Sequence, residues 1–75
     1  MPHVIVKLYQ GRSDQQKIRL AEQIAKGVAA TLNCGERSVS VAIEDIEPAD
    51  WAEKVYQADI VSNWEKLHKK PGYTM

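Results

Sequence analysis

The feature that most constrains this sequence is how little hydrophobic core it can build, since it has 75 residues and a single cysteine. A chain of this size buries only about 60% of its unfolded surface, and disulfides, metals or oligomerisation usually make up the shortfall. Cys34 has no partner for a disulfide, and Cys34, His3 and His68 are too scattered for a zinc or iron–sulfur site. We therefore expect one domain over residues 1–75 that binds no metal or cofactor and self-associates.

Charge and hydropathy exclude several classes of partner. Ten Lys and Arg residues balance ten Asp and Glu residues, whereas nucleic-acid modules normally carry a basic face. No stretch approaches the roughly 20 apolar residues that span a bilayer, and the first ten residues lack the pattern of a signal peptide. We expect a cytoplasmic protein that binds neither nucleic acid nor membrane.

The first half of the chain predicts a strand followed by a long helix. Residues 4–9 form a short, almost continuously apolar run, typical of a strand buried on both faces. Ser13 and Gln16 have the spacing of a capping box, and apolar residues then recur at helical spacing as far as Leu32. Asn33 or Gly35 is expected to end the helix in the left-handed conformation.

The second half predicts another strand and a shorter helix. Residues 38–46 alternate between apolar and polar, which indicates a strand with one apolar face. Strand, helix and strand joined by short turns form a βαβ unit with parallel strands and a right-handed crossover. A turn at 47–50 precedes a second helix, predicted at about 57–69 and ended by Pro71-Gly72.

Pro2 is the one residue that suggests catalysis, because no phosphate-binding loop, catalytic triad or metal ligand set is present. Removal of Met1 would convert its nitrogen into a secondary amine. Terminal amines titrate at about 7.7–8.0, and burial or a nearby cation lowers that pKa towards the value most useful for a general base. Arg12, between the first strand and the helix, offers a guanidinium to bind a carboxylate.

These residues resemble the 4-oxalocrotonate tautomerase family. The resemblance starts at Pro2, continues through an apolar strand to Gly11-Arg12-Ser13-Asp14 and Gln16-Lys17 without a gap, and includes Ser38-Val39-Ser40-Val41 and Trp51. Residues 69–73, Lys-Lys-Pro-Gly-Tyr, are similar to the dimeric phenylpyruvate-tautomerase branch rather than to the shorter hexameric members.

The resemblance implies an α+β fold in which two βαβ protomers, each with a C-terminal helix, pair into a four-stranded sheet backed by helices. It implies a homodimeric isomerase, an enol–keto tautomerase acting on a small 2-keto acid enol such as phenylpyruvate. Pro2 would be the general base, and Arg12 would bind or polarise the substrate and reach into a neighbouring subunit's site. Trp51 would form an apolar wall that lowers the proline pKa.

One position departs from the family pattern, because Ser40 stands where the best-known members carry arginine. Arg37 does not replace it, since at an odd separation along a strand it would point to the opposite face. Lys69 or Lys70 could supply the missing cation and contact the substrate. With one guanidinium lost, a monocarboxylate such as an aryl pyruvate enol fits better than a dicarboxylate.

Two other functions are compatible with the same sequence features. The same fold could hydrate or dehalogenate an unsaturated acid, with protonated Pro2 as the acid, and a Pro2 pKa well above neutrality would identify that chemistry. A non-catalytic dimeric binding module would be indicated by retained Met1.

His3 is expected to project to the other side of the strand from the base, and Tyr9 and Tyr73 are expected to pack in the core or an interface.

Overall fold

The computed structural model describes all residues from 1 to 75 and has the predicted βαβ order. Its elements are β1 (His3–Tyr9), α1 (Asp14–Leu32), a 3₁₀ turn (Glu36–Ser38), β2 (Ser40–Ile46), a second 3₁₀ turn (Pro48–Asp50), the π-type helix α2 (Ala52–Val61) and a third 3₁₀ turn (Trp64–Lys66). β1 and β2 pair in parallel from His3 opposite Ser40 to Tyr9 opposite Ile46. The prediction of two parallel strands joined by a helix is confirmed.

α1 begins and ends where the sequence predicted. The Gln16 backbone N–H donates to the Ser13 hydroxyl at 3.1 Å, and the Ser13 N–H donates to the Gln16 side-chain oxygen at 2.9 Å, which completes the capping box. At the other end Asn33 adopts the left-handed conformation with φ of 55° and donates its N–H to the Ala29 carbonyl. Both ends of this 19-residue helix are therefore satisfied by local contacts.

The two helices form ion pairs with opposite faces of the sheet. On one face, Lys17 of α1 forms an ion pair of 2.6 Å with Asp45 of β2, which lies opposite Leu8. On the other face, Lys7 of β1 forms an ion pair of 2.6 Å with Asp59 of α2. The hydrogen bond to Asp59 raises the pKa of Lys7 above its ordinary value, against a smaller opposing effect of desolvation.

The predicted second helix, at about 57–69, was wrong in its limits and its type. The observed α2 begins at Ala52 and ends at Val61 with π-type hydrogen bonds. Its buried residues are the adjacent pair Val55 and Tyr56, which both lie before the predicted start at residue 57. The Ser62 N–H still donates to the Gln57 carbonyl five residues back, as in a π-helix, and the Ser62 hydroxyl donates to the same carbonyl.

The second strand begins two residues later than predicted. Residues Glu36–Ser38 form a 3₁₀ turn, closed by a Ser38 hydroxyl that donates to the Gly35 carbonyl at 2.8 Å. Arg37 is therefore not excluded as a replacement for the family arginine by the direction of strand side chains. Arg37 lies on a turn, where the alternation of side chains along a strand does not apply.

The protomer buries very little of itself. Only Ala29, Val55 and Tyr56 are less than a tenth exposed, and ten large hydrophobic residues remain exposed. The accessible surface is 5875 Å², whereas a folded monomer of 8.5 kDa is expected to expose roughly 4,700 Å². None of the helices combines the length and the hydropathy required to cross a bilayer.

Candidate active site

Pro2 lies immediately before β1 and is held against the start of β2. It is half-buried, and its carbonyl oxygen accepts the backbone N–H of Ser40 at 3.1 Å. Met1 precedes Pro2, so the Pro2 nitrogen is part of the peptide bond between them. The Met1 side chain is fully exposed. A proline nitrogen in a peptide bond carries no hydrogen and is not basic, which makes the state of Met1 decisive for any chemistry at this residue.

Arg12 lies at the opposite end of β1, in the connection to α1. The preceding Gly11 has a φ of +114°, a conformation that other residues rarely adopt, and it turns the chain between strand and helix. Arg12 is exposed and no carboxylate lies within ion-pair distance of its guanidinium. It lines a cavity of about 220 Å³ whose remaining walls come from β1 and α1: Leu8, Gln16, Lys17 and Leu20.

Trp51 belongs to an aromatic cavity at the same end of the sheet. Its ring meets that of Tyr9 edge to face, with centroids 5.1 Å apart, and its indole N–H donates to the Tyr73 hydroxyl at 3.0 Å. Together with Met75 these residues line a cavity of about 240 Å³. Because the indole N–H is already bonded to the phenol, the cavity wall is largely apolar, a surface suited to an aromatic group.

The two lysines proposed as replacement cations lie on the segment after the last 3₁₀ turn. The Lys70 ammonium stands 5.4 Å from the centroid of the Trp64 ring and donates to the Leu67 carbonyl at 3.5 Å. Lys69 is exposed and forms no ion pair or hydrogen bond in the protomer. Neither lysine lines the cavity of Arg12 or that of Trp51.

A single protomer does not bring the predicted site residues together. Pro2 precedes the first residue of β1, whereas Arg12 and Trp51 lie beyond the far end of the sheet, about 20 Å away for a seven-residue strand. The two cavities at that far end also open on opposite faces, because Leu8 lines one and its neighbour Tyr9 lines the other.

A side-chain contact that the sequence did not predict lies beside Pro2. The His3 Nδ1 and the Ser40 Oγ lie 2.6 Å apart and share a hydrogen bond, with the donor set by the histidine tautomer. The observed register pairs Val4 with Val41 and Val6 with Ile43, which places His3 opposite Ser40, and the sequence alone does not specify this register. Tyr9 and Tyr73 both line the aromatic cavity, and their rings pack against those of Trp51 and Tyr56.

Comparisons with known proteins agree on one family. The family model described as tautomerase enzyme matches residues 2–55. A probable tautomerase of Xylella fastidiosa is 44% identical over 73 residues, which cover 97% of this chain and 89% of the relative. Proteins called tautomerase PptA from an Enterobacter species and from Cronobacter sakazakii are 38% and 36% identical, and each alignment covers the whole of both chains.

Proposed function

Because this chain belongs to the tautomerase family and is an isomerase, we propose that it interconverts the enol and keto forms of an aryl pyruvate, with Pro2 as general base once Met1 is removed. The Pro2 nitrogen would take the proton from the enol oxygen. It would then deliver a proton to the carbon at the far end of the enol double bond, while the carbon that carries the oxygen becomes the ketone. The product is an isomer of the substrate, and the base is regenerated. No cofactor takes part in this cycle.

The observation that carries the proposal is the attachment of Pro2 to β2. Proton transfer requires the base to be held within hydrogen-bond reach of the substrate in a fixed direction. The bond of 3.1 Å from the Ser40 N–H to the Pro2 carbonyl holds the residue whose nitrogen would be the base. A terminal residue is ordinarily among the least ordered parts of a chain, so this attachment is a specific feature of the site.

The surroundings of Arg12 favour a substrate that carries a carboxylate. Its guanidinium is exposed, lies in a concave surface and has no protein carboxylate to neutralise it. A guanidinium binds a carboxylate through two parallel N–H donors, which orients the substrate as well as attracting it. We assign Arg12 the role of binding the substrate carboxylate.

The aromatic cavity has a shape and lining suited to an aryl group, but it opens on the opposite face of the sheet from the cavity of Arg12. Its volume of about 240 Å³ is below the range of pockets for drug-sized ligands, and three of its four lining residues are aromatic. Edge-to-face contacts such as that between Tyr9 and Trp51 extend naturally to one more ring. We propose Trp51 as the apolar wall of the cavity on its own face, and not as a contact of the substrate whose carboxylate Arg12 binds.

The proposed site requires two copies of the chain. A substrate the size of phenylpyruvate cannot reach both Pro2 and the residues at the far end of the same sheet, about 20 Å away. A two-fold homodimer with its sheets side by side and antiparallel would place the far end of one protomer beside Pro2 of the other. The exposed area exceeds that expected of a monomer by about 1,200 Å² per chain, which matches the interface of an obligate dimer.

The two lysines enter the same proposal. Lys69 is free of any protein partner, and Lys70 is held at the ring of Trp64. We propose that this pair supplies positive charge to the substrate carboxylate across the dimer, in place of the family arginine at Ser40.

The test is ketonisation of the phenylpyruvate enol by purified protein whose amino terminus has been established by mass spectrometry. We expect catalysis well above the buffer rate from protein that begins at Pro2. A parallel assay with an enol dicarboxylate should show weaker turnover. A processed protein that is folded but does not accelerate ketonisation of either substrate would refute the proposal.

A further inference from the structure

Ser40 contacts both of the residues that follow Met1. Its backbone N–H donates to the Pro2 carbonyl at 3.1 Å, and its hydroxyl lies 2.6 Å from the Nδ1 of His3. His3 and Ser40 are also the first register partners of the parallel sheet. One residue of β2 therefore holds the backbone of Pro2 and the side chain of the residue next to it.

The position of these contacts gives them a particular consequence. On the amino-terminal side of the first register pair, the chain is held to β2 only by the bond from Ser40 to Pro2. The ends of a chain are mobile where no contact holds them. The bond from Ser40 to Pro2 is the backbone contact nearest to the amino terminus, and the contact between His3 and Ser40 reinforces it through the side chains. Loss of the side-chain contact would loosen the residue whose nitrogen is the proposed base.

We propose that His3 and Ser40 are positioning residues that together fix the direction of the Pro2 nitrogen. This inference rests on the proposed function, in which that nitrogen transfers the proton. Ser40 occupies the position of the family arginine but is too short to take over a contact with the substrate. Its hydroxyl instead joins the two strands beside the base, so the pair acts on proton transfer through Pro2 and touches neither substrate nor product.

The test uses paired variants, each with a conservative counterpart. His3→Leu and Ser40→Ala remove the contact, whereas His3→Asn and Ser40→Thr keep a polar atom near the Nδ1 and the hydroxyl. Ser62→Ala is the matched control, because that hydroxyl also forms a hydrogen bond, at 2.7 Å to the Gln57 carbonyl, but in a different part of the chain.

We expect His3→Leu and Ser40→Ala each to lower kcat by about three- to tenfold with KM unchanged, the size expected for loss of one exposed hydrogen bond. The double variant should be no slower than either single variant, because both remove the same contact. The Asn and Thr variants should recover most of the rate, and Ser62→Ala should match the unsubstituted protein. A rise in KM with kcat unchanged would overturn the proposal, since it would indicate contact with the substrate.

Hydrogen exchange of the Ser40 amide gives a readout that does not depend on catalysis. Because this N–H donates to the Pro2 carbonyl, it should exchange about three- to tenfold faster in His3→Leu, as measured by NMR. Unchanged exchange would overturn the positioning role alone, and so would faster exchange with unchanged kcat. Absence of tautomerase activity in the processed, unsubstituted protein would instead refute the proposed function and this inference with it.

Discussion

Replacement of Arg12 by alanine should separate substrate binding from folding. The guanidinium has no ion-pair partner in the protomer and is exposed, so its removal breaks no contact that stabilises the fold. A charge-assisted contact with a carboxylate contributes about 1.5–3 kcal/mol, which corresponds to a loss of about 10- to 100-fold in kcat/KM. Arg12→Lys should fall between the two proteins, because an ammonium keeps the charge but not the two parallel donors.

The assay for this prediction combines steady-state ketonisation of the phenylpyruvate enol with thermal unfolding. Arg19→Ala is the matched control, since Arg19 is also an exposed arginine without an ion pair but lies further along α1. We expect the midpoint of unfolding to stay the same in both variants and only Arg12→Ala to lose activity. Unchanged kinetics in Arg12→Ala, or an equal loss in Arg19→Ala, would refute the role assigned to Arg12.

Three further predictions concern stability and assembly. The pKa of Lys7 is raised in the folded protein, so its ion pair with Asp59 stabilises the fold fully at pH values below the ordinary lysine pKa. This stabilisation is lost as the pH rises through the pKa of Lys7 in the folded protein. Denaturant titrations across the alkaline range should show the loss in the unsubstituted protein and not in Asp59→Asn. Ser13→Ala should lower the free energy of unfolding by about 1 kcal/mol, because it removes the capping box of α1; an unchanged denaturation midpoint would contradict this. The protein should sediment as a homodimer across a micromolar dilution series, and a folded species of monomer mass would refute the dimer, while a stable hexamer would refute the resemblance to the dimeric branch.

The sequence predicted the parts of the fold that local chemistry determines. The spacing of Ser13 and Gln16, and Asn33 at the other end, predicted the limits of α1 because the residues that cap a helix are near neighbours in the chain. The alternation predicted the second strand but not its exposure, because Val41, Ala42 and Ile43 are all half-buried in β2 and Asp45 is exposed. The limits of α2 were missed because its hydrogen bonds are of the π type, which a count of apolar residues at α-helical spacing does not reveal.

The candidate site was harder to predict because its residues are far apart in one chain. Pro2 and Arg12 were identified from residue type and a resemblance, yet a single protomer holds them at opposite ends of β1. The contact between His3 and Ser40 depends on the register of two strands separated by the whole of α1. Periodicity specifies which side of a strand faces the core, whereas pairs across a sheet become visible only once the register is known.

The central claim is that the free nitrogen of Pro2 is the base, and one comparison tests it most directly. The protein that begins at Pro2 and the protein that retains Met1 should be separated, verified by mass spectrometry and assayed side by side for ketonisation of the phenylpyruvate enol. We predict full activity in the first and almost none in the second, because an amide nitrogen is not basic. Pro2→Ala, processed to a primary amine, should retain part of the activity. Equal activity in the two forms would contradict the proline mechanism.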